Sequence, residues 1–243
     1  MKFVKAQWQA PDHVQALTTT RVGGLSQGTY KGLNLGDHVS DSEEHVQANR
    51  TLLSTEFDLK RRPQWLTQVH GIEVVKAKDD GICRQADACW TDEPGLACVV
   101  MTADCLPVFF SNADGSQVAV AHAGWRGLLA GVLEETLSVF DQVSELHVWF
   151  GPAIGPNAFE VGPEVKKLFC DHDPDTEIAF SESAVGLNKY LADLYALARL
   201  RLSKAGVKNI SSCGLCTYTD EDNFYSYRRD GETGRLASLI WIK

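Results

Sequence analysis

The chain has 243 residues, 44% of them hydrophobic and 23% charged, the balance of a globular protein with enough apolar residues for a sizeable core. A net charge of -9 and a pI of about 5.2 exclude a nucleic-acid face, which needs basic patches, and disfavour docking on an anionic membrane. No uncharged run approaches the roughly 20 residues of a membrane span, and the opening MKFVKAQWQAPDH has no signal-peptide h-region. Seven cysteines, an odd count without secretion, read as reduced thiols in a cytoplasmic protein rather than as a disulfide framework. With no repeat, linker or low-complexity tract, residues 1–243 read as one domain, and the oligomeric state is open.

In chain order, the apolar or alternating runs VQALTTTR, QWLTQVH, IEVVKAK, LACVVMT, LPVFFS, QVAVAHA, LHVWFGPAI and RLASLIWIK predict strands. Helices are expected at 41–57, capped by Asp41 or Ser42, at 125–140, over PEVKKLFCD, and at 189–205. Strands in groups without regular βαβ alternation predict an α+β protein with mixed sheets.

The segment TADCLPVFFSNADGSQVAVAHAGWRG carries the chemistry. NADG is a turn signal between two strand runs. With NADG as a four-residue hairpin loop, Ser111 pairs with Ser116, and Cys105 stands opposite His122 on one face; a two-residue loop at Asp114-Gly115 shifts the register by two and keeps both on that face, whereas a three-residue loop would separate them. Three readings of such a pair stay open: a core cysteine beside a hydrogen-bonded histidine, a nucleophile with its base, or part of a metal site. A metal needs another ligand, and His70 in TQVHGIEVV is the candidate, at the end of a run and before a glycine. Three such donors would leave a fourth position open, as in catalytic zinc sites. His13, His38, His45, His147 and His172 read as surface or hydrogen-bonded residues, and CGLC at 213–216 lacks the second pair of a zinc ribbon.

Arg50 falls within the apolar stripe Val46, Leu53, Phe57 of the first helix. It either snorkels over apolar surface or is held inward for an acid or an anion such as phosphate. In YSYRRD, adjacent Arg228 and Arg229 must diverge, and Arg229 is taken as the inward one. The glycine-rich RVGGLSQGTYKGLNLG lacks P-loop order but can curl over a ligand and present Ser26 or Asn34. A helix opening after AHAG would add free N–H groups near the site.

TTTRVGGLSQGTYKGLNLG, QVHG, MTADCLPV, AHAGWRGL, GPAIGPNAFEVG and YSYRRD…GR together resemble the YfiH family, also called the laccase-domain or purine nucleoside phosphorylase family, in matching order through almost the whole chain. The resemblance implies a layered α/β/β/α sandwich related to the cytotoxic necrotizing factor deamidases. It places the metal-binding and catalytic residues at His70, Cys105 and His122, and its Asn-Arg step at Asn49-Arg50 supports an inward Arg50. It implies zinc, or copper in some members, with phosphorolysis of adenosine, inosine and methylthioadenosine and accompanying deamination of adenosine, so that the partners are a small nucleoside and phosphate. A multicopper mechanism is rejected: it needs paired His-x-His motifs, and no two histidines here lie closer than seven positions. The alternatives are a cysteine hydrolase using Cys105 and His122, for instance one editing peptidoglycan precursors, a single-copper polyphenol oxidase, and a non-enzymatic metal-binding module.

Overall fold

The apolar runs assemble into two main sheets in the computed structural model, which describes residues 1–184 and 186–243. One sheet has four antiparallel strands in the spatial order Phe3–Lys5, Val14–Thr19, Leu236–Ile242, Cys98–Thr102. The other has six, ordered Asn209–Ser212, His147–Phe150, Leu106–Ser111, Val118–Ala123, Ala88–Thr91, Val74–Lys76, with parallel pairings at its two edges. Among the described residues six α-helices accompany them: α1 (Glu43–Glu56), α2 (Trp125–Ala130), α3 (Val132–Leu137), α4 (Pro163–His172), α5 (Leu194–Lys204) and α6 (Tyr227–Asp230). No helix among the described residues is long and apolar enough to cross a membrane.

Alternation along the strands sets the layers. Phe109 and Val120 of the six-stranded sheet pack against Ala16, Val100 and Ile240 of the other, so the two sheets share a core. Their neighbours Val108, Phe110, Ala119 and Ala121 face the other way, onto Leu128 of α2, Leu133 of α3, and Leu197 and Leu202 of α5. On the far side, Leu17, Val99 and Leu239 receive Leu53 of α1. The molecule is the expected α/β/β/α sandwich, its six-stranded sheet mixed and its four-stranded sheet antiparallel. Strand Leu106–Ser111 is buried on both faces, which explains its unbroken apolar run.

Several elements differ from the sequence reading. The helix expected over 125–140 breaks at Gly131, whose φ of 109° is left-handed, so α2 and α3 are separate. The helix expected from 189 starts at Leu194, because the Asp193 side chain accepts from the Ala196 N–H at 3.0 Å and caps it there. Tyr190–Ala192 before it is instead the middle strand of a small sheet with Glu160–Val161 and Phe180–Glu182. The first helix does follow its expected cap, Ser42.

The glycine-rich loop is stapled to α1 by Asn49. Its amide nitrogen donates to Ser26 Oγ at 3.0 Å and the Asn34 carbonyl at 2.8 Å, and its oxygen accepts from the Leu25 N–H at 2.8 Å. Gly32 has no alternative residue here: φ is 115°, and a Cβ would lie 2.0 Å from the Arg21 carbonyl oxygen.

Candidate metal centre

The hairpin takes the second of the expected registers, that of a loop centred on Asp114-Gly115, two residues from the four-residue-loop pairing. Ser111 pairs with Val118 and Pro107 with His122, so Cys105 lies just before the strand instead of opposite His122. Because strand side chains alternate with period two, the shift preserves the shared face. Cys105 sits in the turn preceding its strand, after Asp104 at a left-handed φ of 94°. Buried Asp104 holds that turn: one carboxylate oxygen accepts from Thr217 Oγ1 at 2.6 Å, the other from Ser226 Oγ at 3.0 Å and the Arg228 N–H at 2.7 Å.

His70 enters from a loop that Gln68 pins to the four-stranded sheet, its side-chain amide bonding both the N–H (2.7 Å) and the carbonyl (2.8 Å) of Met101. His70 also has a left-handed φ, 60°. Asp87, fully buried, receives three consecutive N–H groups, from Val69 (3.2 Å), His70 (2.9 Å) and Gly71 (2.7 Å), and contacts His122 Nδ1 at 2.8 Å. One carboxylate thus shapes the His70 loop and orients the His122 ring. With Nδ1 committed to Asp87, His122 turns Nε2 toward the site, the arrangement expected of a ligating histidine. Asp87 was not singled out in the sequence, where RQADACW offers no periodic or motif signal.

The convergence is tight. Donor atoms of His70, Cys105 and His122 all lie within 4.8 Å of one another, Cys105 Sγ being 3.9 Å from His70 Nε2. The two imidazoles meet edge to face at 4.8 Å. His70 is exposed, Cys105 half-buried and His122 buried, so the site runs from mouth to floor of one cavity of about 310 Å³. Gly124, ahead of α2, has no room for a side chain: a Cβ would lie 2.9 Å from His70 Cδ2 and 3.1 Å from Cys105 Sγ. A tetrahedral zinc ion with bonds of about 2.0–2.3 Å sets its ligand atoms roughly 3.5 Å apart, a spacing these three donors approach, so they would fit such an ion with one ligand position to spare.

Electrostatics make the donor set self-consistent. Burial pushes the Cys105 thiol up, but the two imidazoles outweigh it and bring the pKa down to about 6. Burial also opposes a charged His122, yet the Cys105 thiolate and Asp87 raise it to about 9. Asp87 is held below the usual carboxylate range, since burial is outweighed by His122 and the N–H groups of Gly71 and Val69. The depressed thiol contributes stability fully present above its ordinary pKa of 9.0 and lost as pH falls through about 6. The raised imidazole contributes stability fully present below 6.5 and lost as pH rises through about 9. In metal-free protein the charged pair therefore spans pH about 6 to about 9. Alkylation of Cys105 by iodoacetamide is expected to stay fast down to pH about 6, and His122→Gln to move that midpoint upward. An unchanged midpoint in the variant would show that the histidine does not hold the thiolate.

The remaining expected residues lie elsewhere. Arg50 is turned inward, but its charge is answered within the protein: Asp37 lies 3.1 Å away, the Leu35 carbonyl accepts from Nε and Nη2, and the guanidinium covers the Trp65 ring at 4.0 Å. It lines a neighbouring cleft and meets Met101 of the metal-centre cavity, whose sulfur is 3.8 Å from Nη2. Asn34 and Ser26 are buried in the loop, and both bond Asp41 instead of facing the cavity. Arg229 is also turned away, spent on the carbonyls of Thr217, Tyr218 and Phe224 and on Asp230. Arg228 and Arg235 line the cavity in its place, with His38, Phe159 and Tyr227. Of these the sequence reading weighed only Arg228 and His38, and it read His38 as a surface residue.

Residues 15–243 match the family model described as multi-copper polyphenol oxidoreductase laccase. Over 99% of both chains, the sequence is 49% identical to the purine nucleoside phosphorylase YfiH of Escherichia coli (strain K12). It is 46% identical to the purine nucleoside phosphorylase of Haemophilus influenzae over 100% of both. Among solved structures, protein NMB0706 of Neisseria meningitidis superposes with a TM-score of 0.95 at 46% identity over the full length of both chains. YlmD of Geobacillus stearothermophilus gives 0.90 at 32% identity, covering 96% of this chain and 93% of its own. With this agreement over its whole length, the chain belongs to the YfiH family, the laccase-like family to which that model corresponds.

Proposed function

We propose that this protein is a metal-dependent purine nucleoside phosphorylase acting on adenosine, inosine and methylthioadenosine, with deamination of adenosine as a second activity, in the cytoplasm. The observation that carries the reading is the His70–Cys105–His122 donor set at one end of a cavity that also presents arginines and aromatic rings. Relatives close to half identical over their full length bear the phosphorylase name, which supports it further.

In phosphorolysis a phosphate oxygen bonds to the ribose C1′ as the C1′–N9 bond breaks. The electron pair leaves with the purine, which takes up a proton. His70, Cys105 and His122 would hold zinc, or copper in its place, and the ion would supply Lewis-acid polarisation at that end of the cavity. The protein's own part is positional. Asp87 fixes His122 and the His70 loop, Asp104 fixes the Cys105 turn, and Phe159 and Tyr227 offer faces for the base. Arg50 supports the cavity wall from behind, through Met101 and through Asp37, the neighbour of His38.

A second reading rests on the thiolate–imidazolium pair of the metal-free site, which would suit a cysteine hydrolase. Metal analysis combined with adenosine and inosine turnover, with and without phosphate, separates them. The expected result is about one metal per chain and ribose 1-phosphate formed only when phosphate is present. Glycosidic cleavage indifferent to phosphate would favour the hydrolase, and metal without turnover would indicate a binding module.

A further inference from the structure

Arg235 is a half-buried guanidinium in the wall of the cavity; it makes no close ion pair among the described residues, and the negative charges it feels are Cys105 and the already committed Asp104. Only Nη1 is engaged, by the carbonyls of Thr233 (2.8 Å) and Gly234 (3.1 Å). Its situation differs from that of Arg50, paired with Asp37, and Arg229, paired with Asp230. Asp104, the acid of the same wall, already accepts three hydrogen bonds from other groups. Leaving a partly desolvated cation unpaired is costly unless a ligand completes it.

A second orphan lies in the same wall. The Thr102 hydroxyl is 1% exposed and has no hydrogen-bond partner. The antiparallel register pairs Thr102 with Leu236, which sets Arg235 beside the turn that leads into Cys105. The glycine-rich loop is built around this arginine. Asn34 Oδ1 accepts from the Arg235 N–H at 2.8 Å, and the Leu35 N–H donates to the Arg235 carbonyl at 3.2 Å. Gly36 leaves space for the stem, since a Cβ there would lie 2.7 Å from Arg235 Cγ. The loop thus presents no side chain of its own and instead clamps an arginine from far along the chain.

We propose that Arg235 and Thr102 form the phosphate seat of this cavity, with the free Nε–Nη2 edge and the threonine hydroxyl donating to phosphate oxygens. This deepens the phosphorylase reading and rests on it for the identity of the anion. The fork of Arg235 matches two phosphate oxygens, and the hydroxyl supplies a third, neutral contact.

Calorimetric titration of inorganic phosphate into wild-type protein and the Arg235→Met, Arg235→Lys and Thr102→Val variants tests the proposal, alongside phosphorolysis kinetics. Arg235→Met is expected to weaken phosphate binding by about 30-fold or more, and Thr102→Val by about 5–10-fold. Arg235→Lys should fall between wild type and Arg235→Met, keeping the charge without the fork. The KM for phosphate should rise in parallel, with the KM for adenosine changing less than about threefold. If Arg235→Met does not fold, the lysine and valine variants carry the test. Phosphate affinity unchanged in folded, metal-loaded variants would overturn the seat, even if wild-type phosphorolysis is robust. Arg235-dependent phosphate binding without any phosphorolysis would uphold the seat and sink the functional reading instead.

Discussion

Asp87→Asn is expected to lower metal affinity and turnover about a hundredfold and to destabilise the fold by about 3–5 kcal/mol. The reason lies in how the four donors divide between the two carboxylate oxygens. His70 N–H and His122 Nδ1 share one, Val69 and Gly71 N–H the other. An asparagine has one accepting oxygen, so either orientation turns its NH2 toward two donors. Facing the loop, it repels the N–H groups that hold His70. Facing His122, it donates to Nδ1 and moves the ring proton to Nε2, the nitrogen needed for the metal. Metal titration and thermal unfolding of the variant check this. A variant that keeps wild-type metal affinity would reduce Asp87 to a loop anchor.

Cys105→Ser is expected to remove nearly all bound metal and to depress phosphorolysis and deamination together, by about a thousandfold or more. The thiol is a thiolate at neutral pH because of its two histidine neighbours, whereas a serine hydroxyl in the same place stays protonated and neutral. Because the thiolate–imidazolium pair stabilises the metal-free protein, the variant should also lose some stability at neutral pH. Metal per chain and turnover of both reactions are the readouts. Full retention of all three would return Cys105 to a packing role.

The parts of the fold legible in the sequence are those where one local pattern dominates. LACVVMT, LPVFFS, QVAVAHA and RLASLIWIK are long apolar runs, and they form fully buried strands of the two main sheets. Strands Phe3–Lys5, Ala88–Thr91 and Asn209–Ser212 were not anticipated, because three or four residues carry no readable period. The break at Gly131 escaped since apolar spacing continues across it, and only the left-handed backbone ends the helix. In the candidate site the metal-facing trio was legible through motif resemblance and through hairpin parity, which is the same in the four-residue-loop register and in the two-residue-loop register that forms. Its supports were not. Asp87 and Arg235 act on residues distant in sequence, and Asn34 and Ser26 serve the loop's own hydrogen bonds, which no spacing rule announces.

The place of strand Leu236–Ile242 has a consequence for biosynthesis. It fills the middle of the four-stranded sheet, between Val14–Thr19 and Cys98–Thr102, although both neighbours leave the ribosome long before it. Until that segment emerges, the nascent chain holds two unzipped apolar edges open to mispairing. Arg235 and the loop that clamps it come together at the same moment. Anion-binding competence and closure of the sheet are therefore acquired in a single late event, and a truncation at residue 234 would leave a chain with most of its sequence and neither property.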